Sequence, residues 1–232
     1  MREKSCIWCQ KNEPTDSVFQ LLFKPHPHPS YVCQSCQNIF QPIEPDKACR
    51  GCGRSQEGQD YCYDCVRWRR NEKECLANQA IFVYDQAARE WINRYKFEGD
   101  CRLSFLVQAA LKRSLKPYVK DKTYIICPIP PSKKSLYKRG FDAVAHPLKQ
   151  INCRYTELLV SLSNGKKQSD KSRQERMLLQ GAFALKEEEA HMIDKKVLLI
   201  DDVYTTGATL HCAYDLLKDS GFSEVKSLTL FR

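Results

Sequence analysis

Short apolar runs alternate with amphipathic stretches through the C-terminal two thirds of the chain. The runs that predict strands lie at 80–84, 124–127, 157–162, 182–185, 196–201 and 225–231. The stretches with apolar residues at helical spacing predict helices at 86–95, 103–115, 141–151 and 208–220. Pro117 predicts the end of the second helix, because the residue before a proline disfavours helical geometry. Strands alternating with helices predict an α/β domain whose mostly parallel sheet carries helices on both faces.

The first 75 residues follow a different pattern. Large apolar side chains are sparse there, and the segment after Cys65 is a polar, charged connector. A segment of this length cannot build much core by burial alone. The chain is therefore predicted to divide into a small cysteine-rich module, residues 1–75, and an α/β domain, residues 76–232.

Eight of the 13 cysteines form four Cys-x-x-Cys pairs in the first module. The pairs are Cys6/Cys9, Cys33/Cys36, Cys49/Cys52 and Cys62/Cys65. A two-residue spacer lets one turn present both sulfurs to a tetrahedral ion, and two such turns complete a closed structural zinc site. Two zinc ions bound by sequential pairs are favoured, and cross-braced pairing stays open. The spacing does not match that of ferredoxin-type iron–sulfur clusters.

The composition indicates where in the cell the protein is expected. The chain has 232 residues, 42% of them apolar, and no apolar run approaches the ~18 residues of a membrane span. The first residues lack the apolar core of a signal peptide, so a cytoplasmic location with reduced thiols is expected. Metal ligation then explains the cysteine pairs better than a disulfide framework does.

Positive charge is concentrated in the second domain. The net charge is +9, and residues 112–139 contain nine Lys or Arg and a single acidic residue. Such a strip suits a pyrophosphate or a nucleic-acid backbone, although a solvated surface is the simpler alternative. The candidate DNA-binding residues are Lys112, Lys116, Lys120 and Lys122.

The motif richest in chemistry lies at 197–210. A buried strand leads into Asp201 and Asp202, and hydroxyl side chains and one glycine then lead into a helix. Open α/β sheets bind ligands beyond the strand ends, at helix N-termini with free N–H groups. The carboxylates can accept hydrogen bonds from two ribose hydroxyls. The residues able to wrap a phosphate are Thr205, Thr206, Gly207, Ala208 and Thr209.

A second candidate ligand segment follows the strand at 124–127. A proline-rich turn at 128–131 precedes Lys133 and Lys134, at the sheet edge where the carboxylate motif is also expected. Exposed N–H groups beside two lysines can bind pyrophosphate. A surface turn without a ligand remains the alternative.

The 197–210 segment resembles the phosphoribosyl-pyrophosphate (PRPP) motif of type I phosphoribosyltransferases. The resemblance implies a Rossmann-like fold in which Asp201 and Asp202 hold the ribose hydroxyls and the threonines hold the 5′-phosphate. It also implies Mg²⁺ bound together with PRPP.

Longer stretches resemble the ComF/ComFC competence proteins, which look like a double zinc ribbon fused to such a domain. The matching stretches are the four cysteine pairs, Tyr95–Asp100, Pro128–Pro130, Lys138–Phe141 and Gln168–Phe183. The resemblance implies a flexible hood over the site that carries Gln168 and Arg176. The chain departs from the family pattern at Asp142-Ala143, where Asn-Gln is common, and at Leu179, where Asn is common.

Two functions follow from this resemblance. One is competence, the cytoplasmic handling of incoming single-stranded DNA with helicase-like and recombination-mediator partners, which can hold the protein at the inner face of the membrane. The other is a Mg²⁺-dependent phosphoribosyltransferase in which Lys133, Arg139 and the hood stabilise the departing pyrophosphate. The competence role is preferred with PRPP binding retained, and the acceptor of any transfer stays open.

Overall fold

A computed structural model describes residues 5–12, 32–69, 76–162 and 182–232. The strands are β1 (Asn78–Phe82), β2 (Tyr124–Pro128), β3 (Leu159–Ser161), β4 (Phe183–Leu185), β5 (Lys196–Val203) and β6 (Val225–Phe231). The helices are α1 (Tyr63–Arg69), α2 (Gln86–Ile92), α3 (Phe105–Lys120), α4 (Lys133–Arg139), α5 (Ala145–Gln150) and α6 (Ala208–Asp219). None of these helices is long and apolar enough to cross a bilayer.

Four parallel strands form the central sheet in the order β1-β6-β5-β2. Successive apolar residues of β5 point to opposite faces. Leu198 and Ile200 pack in the core that includes residues of α2, α3 and α5, whereas Val197 and Leu199 pack with residues of α6. The predicted α/β class, with helices on both faces of a mostly parallel sheet, is confirmed.

Three elements differ from the sequence prediction. The run at 157–162 supplies β3, which pairs antiparallel with β4 in a separate two-stranded sheet. Helix α3 passes through Pro117 and ends at Lys120. A proline inside a helix removes one hydrogen bond and crowds the preceding turn, and the fully buried Leu115 together with the Tyr118–Tyr124 ring contact at 5.1 Å offsets this cost.

Helix α4 is the third difference, because its residues follow a predicted turn and no helix was expected there. It has no buried residue, so it carries no apolar periodicity. Its ends are nevertheless marked in the sequence. The Ser132 side chain accepts from the Ser135 N–H at 3.2 Å, and Gly140 ends the helix with a φ of 78°.

The cysteine-rich module packs along the edge of the sheet. Segment 41–43 lies antiparallel to β1, where the Ile43 N–H donates to the Ile81 carbonyl and the Val83 N–H to that of Gln41, both at 2.9 Å. The Phe40 ring lies 5.2 Å from that of Phe82. Residues 70–75 lie outside the described part of the chain, so the boundary at residue 75 stays a prediction.

Candidate functional site

The carboxylate pair lies near the C-terminal end of β5. The strand continues through Val203, so Asp201 and Asp202 belong to it rather than to the following loop. The Asp202 N–H donates to the Asp201 carboxylate at 2.9 Å. Residues 204–209, which we name the threonine loop, come next and include the first two residues of α6. This places the pair where a parallel sheet presents ligands.

A cavity of about 350 Å³ opens at this end of the sheet. Five of the residues predicted to bind ligand line it: Arg139, Asp201, Asp202, Thr205 and Thr209. They come from α4, β5 and the threonine loop, which the fold brings to one edge. The size and the mixed polar and apolar lining are ordinary for a small-molecule site.

The other predicted ligand residues do not line this cavity; they are Lys133, Lys134, Thr206, Gly207 and Ala208. Lys133 and Lys134 are exposed in the first turn of α4. Thr206 is exposed, and its hydroxyl accepts from the Ala208 N–H at 3.4 Å. Contacts of these residues with a ligand therefore stay predictions. Gln168 and Arg176, the two predicted hood residues, lie outside the described residues.

Gly207 allows the backbone of the threonine loop to pack closely against the ring of Tyr204. Its φ is 79°, and a Cβ at this position would come within 2.7 Å of Cε1 of Tyr204 and closer still to the ring's hydroxyl end. The ring is buried and its hydroxyl lies 3.3 Å from Nε2 of His211. The ring therefore has little room to move away from an added methyl group.

We expect Gly207→Ala to destabilise the protein by about 3 kcal/mol, from a left-handed backbone plus overpacking. Gly58→Ala is the matched control, because Gly58 has the same φ of 79° and open space around it. The control should cost only about 1 kcal/mol, since it carries the backbone term alone. Urea unfolding of the two variants measures the difference, and equal losses would contradict the clash.

Lys96 belongs to the site, although the sequence analysis did not select it. It lies in a π-helical turn, Asn93–Phe97, that continues α2, and its Nζ lies 2.5 Å from Oδ2 of the buried Asp202. Burial lowers the pKa of Lys96, but the carboxylates of Asp202 and Asp201 outweigh it and leave the pKa raised. Lys96 therefore stays charged and balances the pair.

The two carboxylates have different surroundings. Burial and the neighbouring Asp202 charge raise the pKa of Asp201 to about 7. Asp202 takes the direct contact with the lysine. One carboxylate of the pair is thus neutralised by a cation, and the other is close to protonation at neutral pH.

Arg139 and Asp142 are two further polar residues that line the cavity. Arg139 Nε donates to the Lys96 carbonyl at 3.1 Å, which holds α4 against the π-helical turn that carries Lys96. Asp142 accepts from the Val144 and Ala145 N–H groups at 2.8 and 2.9 Å, and burial raises its pKa. A third acidic side chain thus lines the cavity at the position that departs from the family pattern.

The basic strip is solvent-exposed along α3. Lys112, Lys116 and Lys120 follow one another at four-residue steps and so share one face of the helix, and Lys122 lies just beyond its end. None of the four pairs with a carboxylate among the described residues. A face of this kind can contact a polyanion at low desolvation cost.

The eight predicted cysteine ligands form two clusters. The first cysteine cluster contains Cys6, Cys9, Cys33 and Cys36, and the second contains Cys49, Cys52, Cys62 and Cys65. Sequential pairing is therefore the arrangement present, and cross-braced pairing is excluded. Within each cluster all Sγ atoms lie within 4.8 Å of one another, so each can hold a metal ion.

Distances and hydrogen bonds fit structural zinc. Cys9 and Cys33 have their Sγ atoms 3.7 Å apart, and Cys52 and Cys62 have theirs 3.5 Å apart. These separations are close to the edge of about 3.8 Å of a tetrahedron with Zn–S bonds of about 2.3 Å. The Cys62 N–H also donates to the Cys49 sulfur at 3.2 Å, a bond that favours the thiolate.

Elemental analysis of the purified protein should find two zinc equivalents per chain. Cys9→Ser and Cys62→Ser should each lose one equivalent, because they remove a ligand from different clusters. A single equivalent in the unaltered protein would contradict the assignment of one ion to each cluster.

Comparison with known proteins supports this architecture. The family model "Phosphoribosyl transferase domain" matches residues 136–232. Competence protein ComFC of Bacillus subtilis strain 168 is 32% identical over 231 residues, covering 98% of this chain and 94% of that protein. Competence protein ComFC of Streptococcus pneumoniae strain R6 is 32% identical over 227 residues, covering 98% and 99% respectively. Competence protein F of Haemophilus influenzae is 26% identical, covering 87% and 90%.

Proposed function

This chain belongs to the ComFC competence protein family, and from that membership we propose that it handles incoming single-stranded DNA in the cytoplasm and binds PRPP or a related ribose phosphate in its cavity. The observation that supports ligand binding is the meeting of Asp201, Asp202 and Thr205 around one cavity. The basic face of α3 supports DNA binding.

The cavity has the chemistry that a ribose 5-phosphate requires. The carboxylates of Asp201 and Asp202 accept hydrogen bonds from the ribose hydroxyls, and such charge-assisted bonds are strong. Hydroxyl and N–H groups of the threonine loop surround the phosphate, at the N-terminus of α6. Lys96 must release or share Asp202 when the ribose binds, so ligand binding includes rearrangement of this ion pair.

Single-stranded DNA is the partner that the exposed lysines suit best. Phosphate contacts dominate the affinity of such complexes, and aromatic rings add stacking on bases. Tyr137 on α4 is 91% exposed and is available for stacking. Tyr118 and Tyr124, by contrast, pack edge to face with each other and are partly buried. Helicase-like and recombination-mediator proteins of DNA uptake are the proposed protein partners.

Phosphoribosyl transfer is the second candidate function, because the matched domain family is named for it. The residues present suit Mg²⁺ as well, since carboxylate oxygens are its preferred protein ligands and three acidic side chains line the cavity. Bound with PRPP, Mg²⁺ would neutralise the charge that develops on pyrophosphate. Arg139 lies in the cavity wall and would share that role.

Two titrations test the proposal. Calorimetry with PRPP and Mg²⁺ should show one site per chain, and fluorescence anisotropy at ~50 mM salt should show binding of an oligo-dT strand that weakens steeply as salt rises. Absence of DNA binding at low salt would contradict the competence role. Release of pyrophosphate from PRPP in the presence of candidate acceptors would favour the transferase.

A further inference from the structure

We propose that Arg232 is a positioning residue that couples the second cysteine cluster to the threonine loop. The order of the loop then depends on whether that cluster is intact. The consequence for ligand affinity rests on the proposed ribose-phosphate site. The coupling itself does not, because it is carried by contacts within the protein.

Arg232 contacts both the threonine loop and the cysteine-rich module. Nη1 donates to the Thr205 carbonyl at 3.1 Å, and the guanidinium lies 5.0 Å from the centre of the Tyr204 ring. In the other direction, Nη2 lies 3.5 Å from the carboxylate of Asp64, which stands in sequence between Cys62 and Cys65 of the second cysteine cluster. A single side chain therefore contacts both the backbone of the loop and Asp64 of the cysteine-rich module.

Burial makes this bridge rigid. The Arg232 side chain is only 8% exposed. Its backbone is fixed by the sheet, since its N–H donates to the Phe82 carbonyl and its carbonyl accepts from the Tyr84 N–H. A buried guanidinium must keep its partners, because an unpaired charge in this position is costly. Movement of Asp64 is thus transmitted to the loop.

A second contact joins the same two parts from the other side. Trp68 lies on α1, the helix that also carries Cys65, and its ring stacks on that of His211 at 4.2 Å with an interplanar angle of 13°. His211 is buried in α6 and meets the Tyr204 hydroxyl. The second cysteine cluster therefore supports the loop both through Arg232 and through α6.

The first cysteine cluster has a different anchor. Arg94 donates to the carbonyls of Ile7 and Trp8, at 2.7 and 2.9 Å, and so ties that cluster to the turn that carries Lys96. The two clusters therefore support different walls of the cavity. Damage to the first cluster should leave the threonine loop ordered, and this gives the coupling a specific control.

Hydrogen–deuterium exchange of the full metal-loaded chain tests the coupling without any ligand. Arg232→Met should speed exchange at the 204–209 amides about tenfold, because it removes hydrogen bonds of a charged donor. Arg54→Met is the matched control, since Arg54 pairs with the same Asp64 at 2.6 Å and its ion pair does not involve the loop. Faster exchange in the first variant alone supports the proposal, and equal exchange in both overturns it.

Asp64→Asn serves if Arg232→Met fails to fold. Asp64 is partly exposed, and the change weakens only the cluster side of the bridge. It should speed loop exchange about threefold, a smaller effect because an exposed partner contributes less. Exchange at the level of the unaltered protein would overturn the coupling.

The role of the cluster is tested by Cys62→Ser against Cys9→Ser. The first should speed exchange at 204–209, and the second should not; equal effects at the loop would overturn the proposal. Calorimetry with PRPP and Mg²⁺ then gives the functional consequence, an affinity about tenfold lower for Arg232→Met. If the unaltered protein binds no PRPP, the ligand proposal fails, and the exchange results still decide the coupling.

Discussion

Replacing Asp201 by asparagine should raise the stability of the protein, and replacing Asp202 by asparagine should lower it, although both changes should weaken PRPP binding. The two carboxylates are adjacent in sequence, yet only Asp202 pairs with Lys96. Asp201→Asn would remove a partly buried carboxylate that lies beside a like-charged neighbour. Asp202→Asn would leave the largely buried Lys96 without its closest partner.

The stability gained by Asp201→Asn should increase with pH. The folded-state pKa of Asp201 is raised to about 7 from its ordinary value of 3.8. Between these values the folded protein binds a proton that the unfolded chain has released, so stability falls as pH rises. Asp201→Asn should therefore gain on the order of 2 kcal/mol at pH 8 and little at pH 4. Asp202→Asn should lose about 2 kcal/mol at pH 8, a discounted value because Lys96 keeps some exposure.

Thermal unfolding at the two pH values measures these changes, and calorimetry should show PRPP affinity reduced about 100-fold in each variant. Asp194→Asn is the control, because Asp194 is exposed and lies away from the cavity lining. Shifts of the same sign for Asp201→Asn and Asp202→Asn at pH 8 would contradict the unequal roles of the two carboxylates.

Reversing the charge of Lys112, Lys116 and Lys120 together, by substitution with glutamate, should lower single-stranded DNA affinity by about 100-fold at low salt. The three residues share the exposed face of α3, so a strand that follows this face contacts all of them. The slope of log affinity against log salt should also fall by about two, since each lost phosphate contact removes about 0.7. Anisotropy titrations of oligo-dT at several salt concentrations give both quantities.

Two controls distinguish the loss of positive charge from unfolding of the protein and from contacts that only a lysine side chain can make. The triple Lys→Arg variant keeps the charge and should keep the affinity and the slope. PRPP binding by the triple Lys→Glu variant should be unchanged, because none of the three lysines lines the cavity. A triple Lys→Glu variant that binds DNA as the unaltered protein does would exclude α3 as the DNA-binding face.

Part of the site could be predicted because its residues are neighbours in sequence. Asp201 and Asp202 lie near the end of one buried strand and Thr205 lies just beyond it, and the place where ligands bind a parallel sheet is a general property of the fold. The cysteine ligands could be predicted for the same reason, since each pair spans a single turn. Sequential pairing needed the structure, because spacing alone allows both arrangements.

Contacts between distant segments could not be predicted. Lys96 reaches Asp202 across more than one hundred residues, from a π-helical turn that has no distinct sequence pattern. Arg232 likewise meets Asp64 only because the end of β6 and the cysteine module come together in the fold. Helix α4 was missed for a different reason. It buries no side chain, so its Ser132 and Gly140 caps were the only available signals.

The antiparallel pairing of segment 41–43 with β1 has a consequence for how the chain can be divided. Without the first module, β1 would present unpaired N–H and C=O groups, and Phe82 would lose the ring of Phe40 that covers it. An open strand edge beside exposed aromatic surface is a template for intermolecular β-pairing. The cysteine-rich module thus covers this edge of the α/β domain, and a fragment that begins at residue 76 would be expected to self-associate.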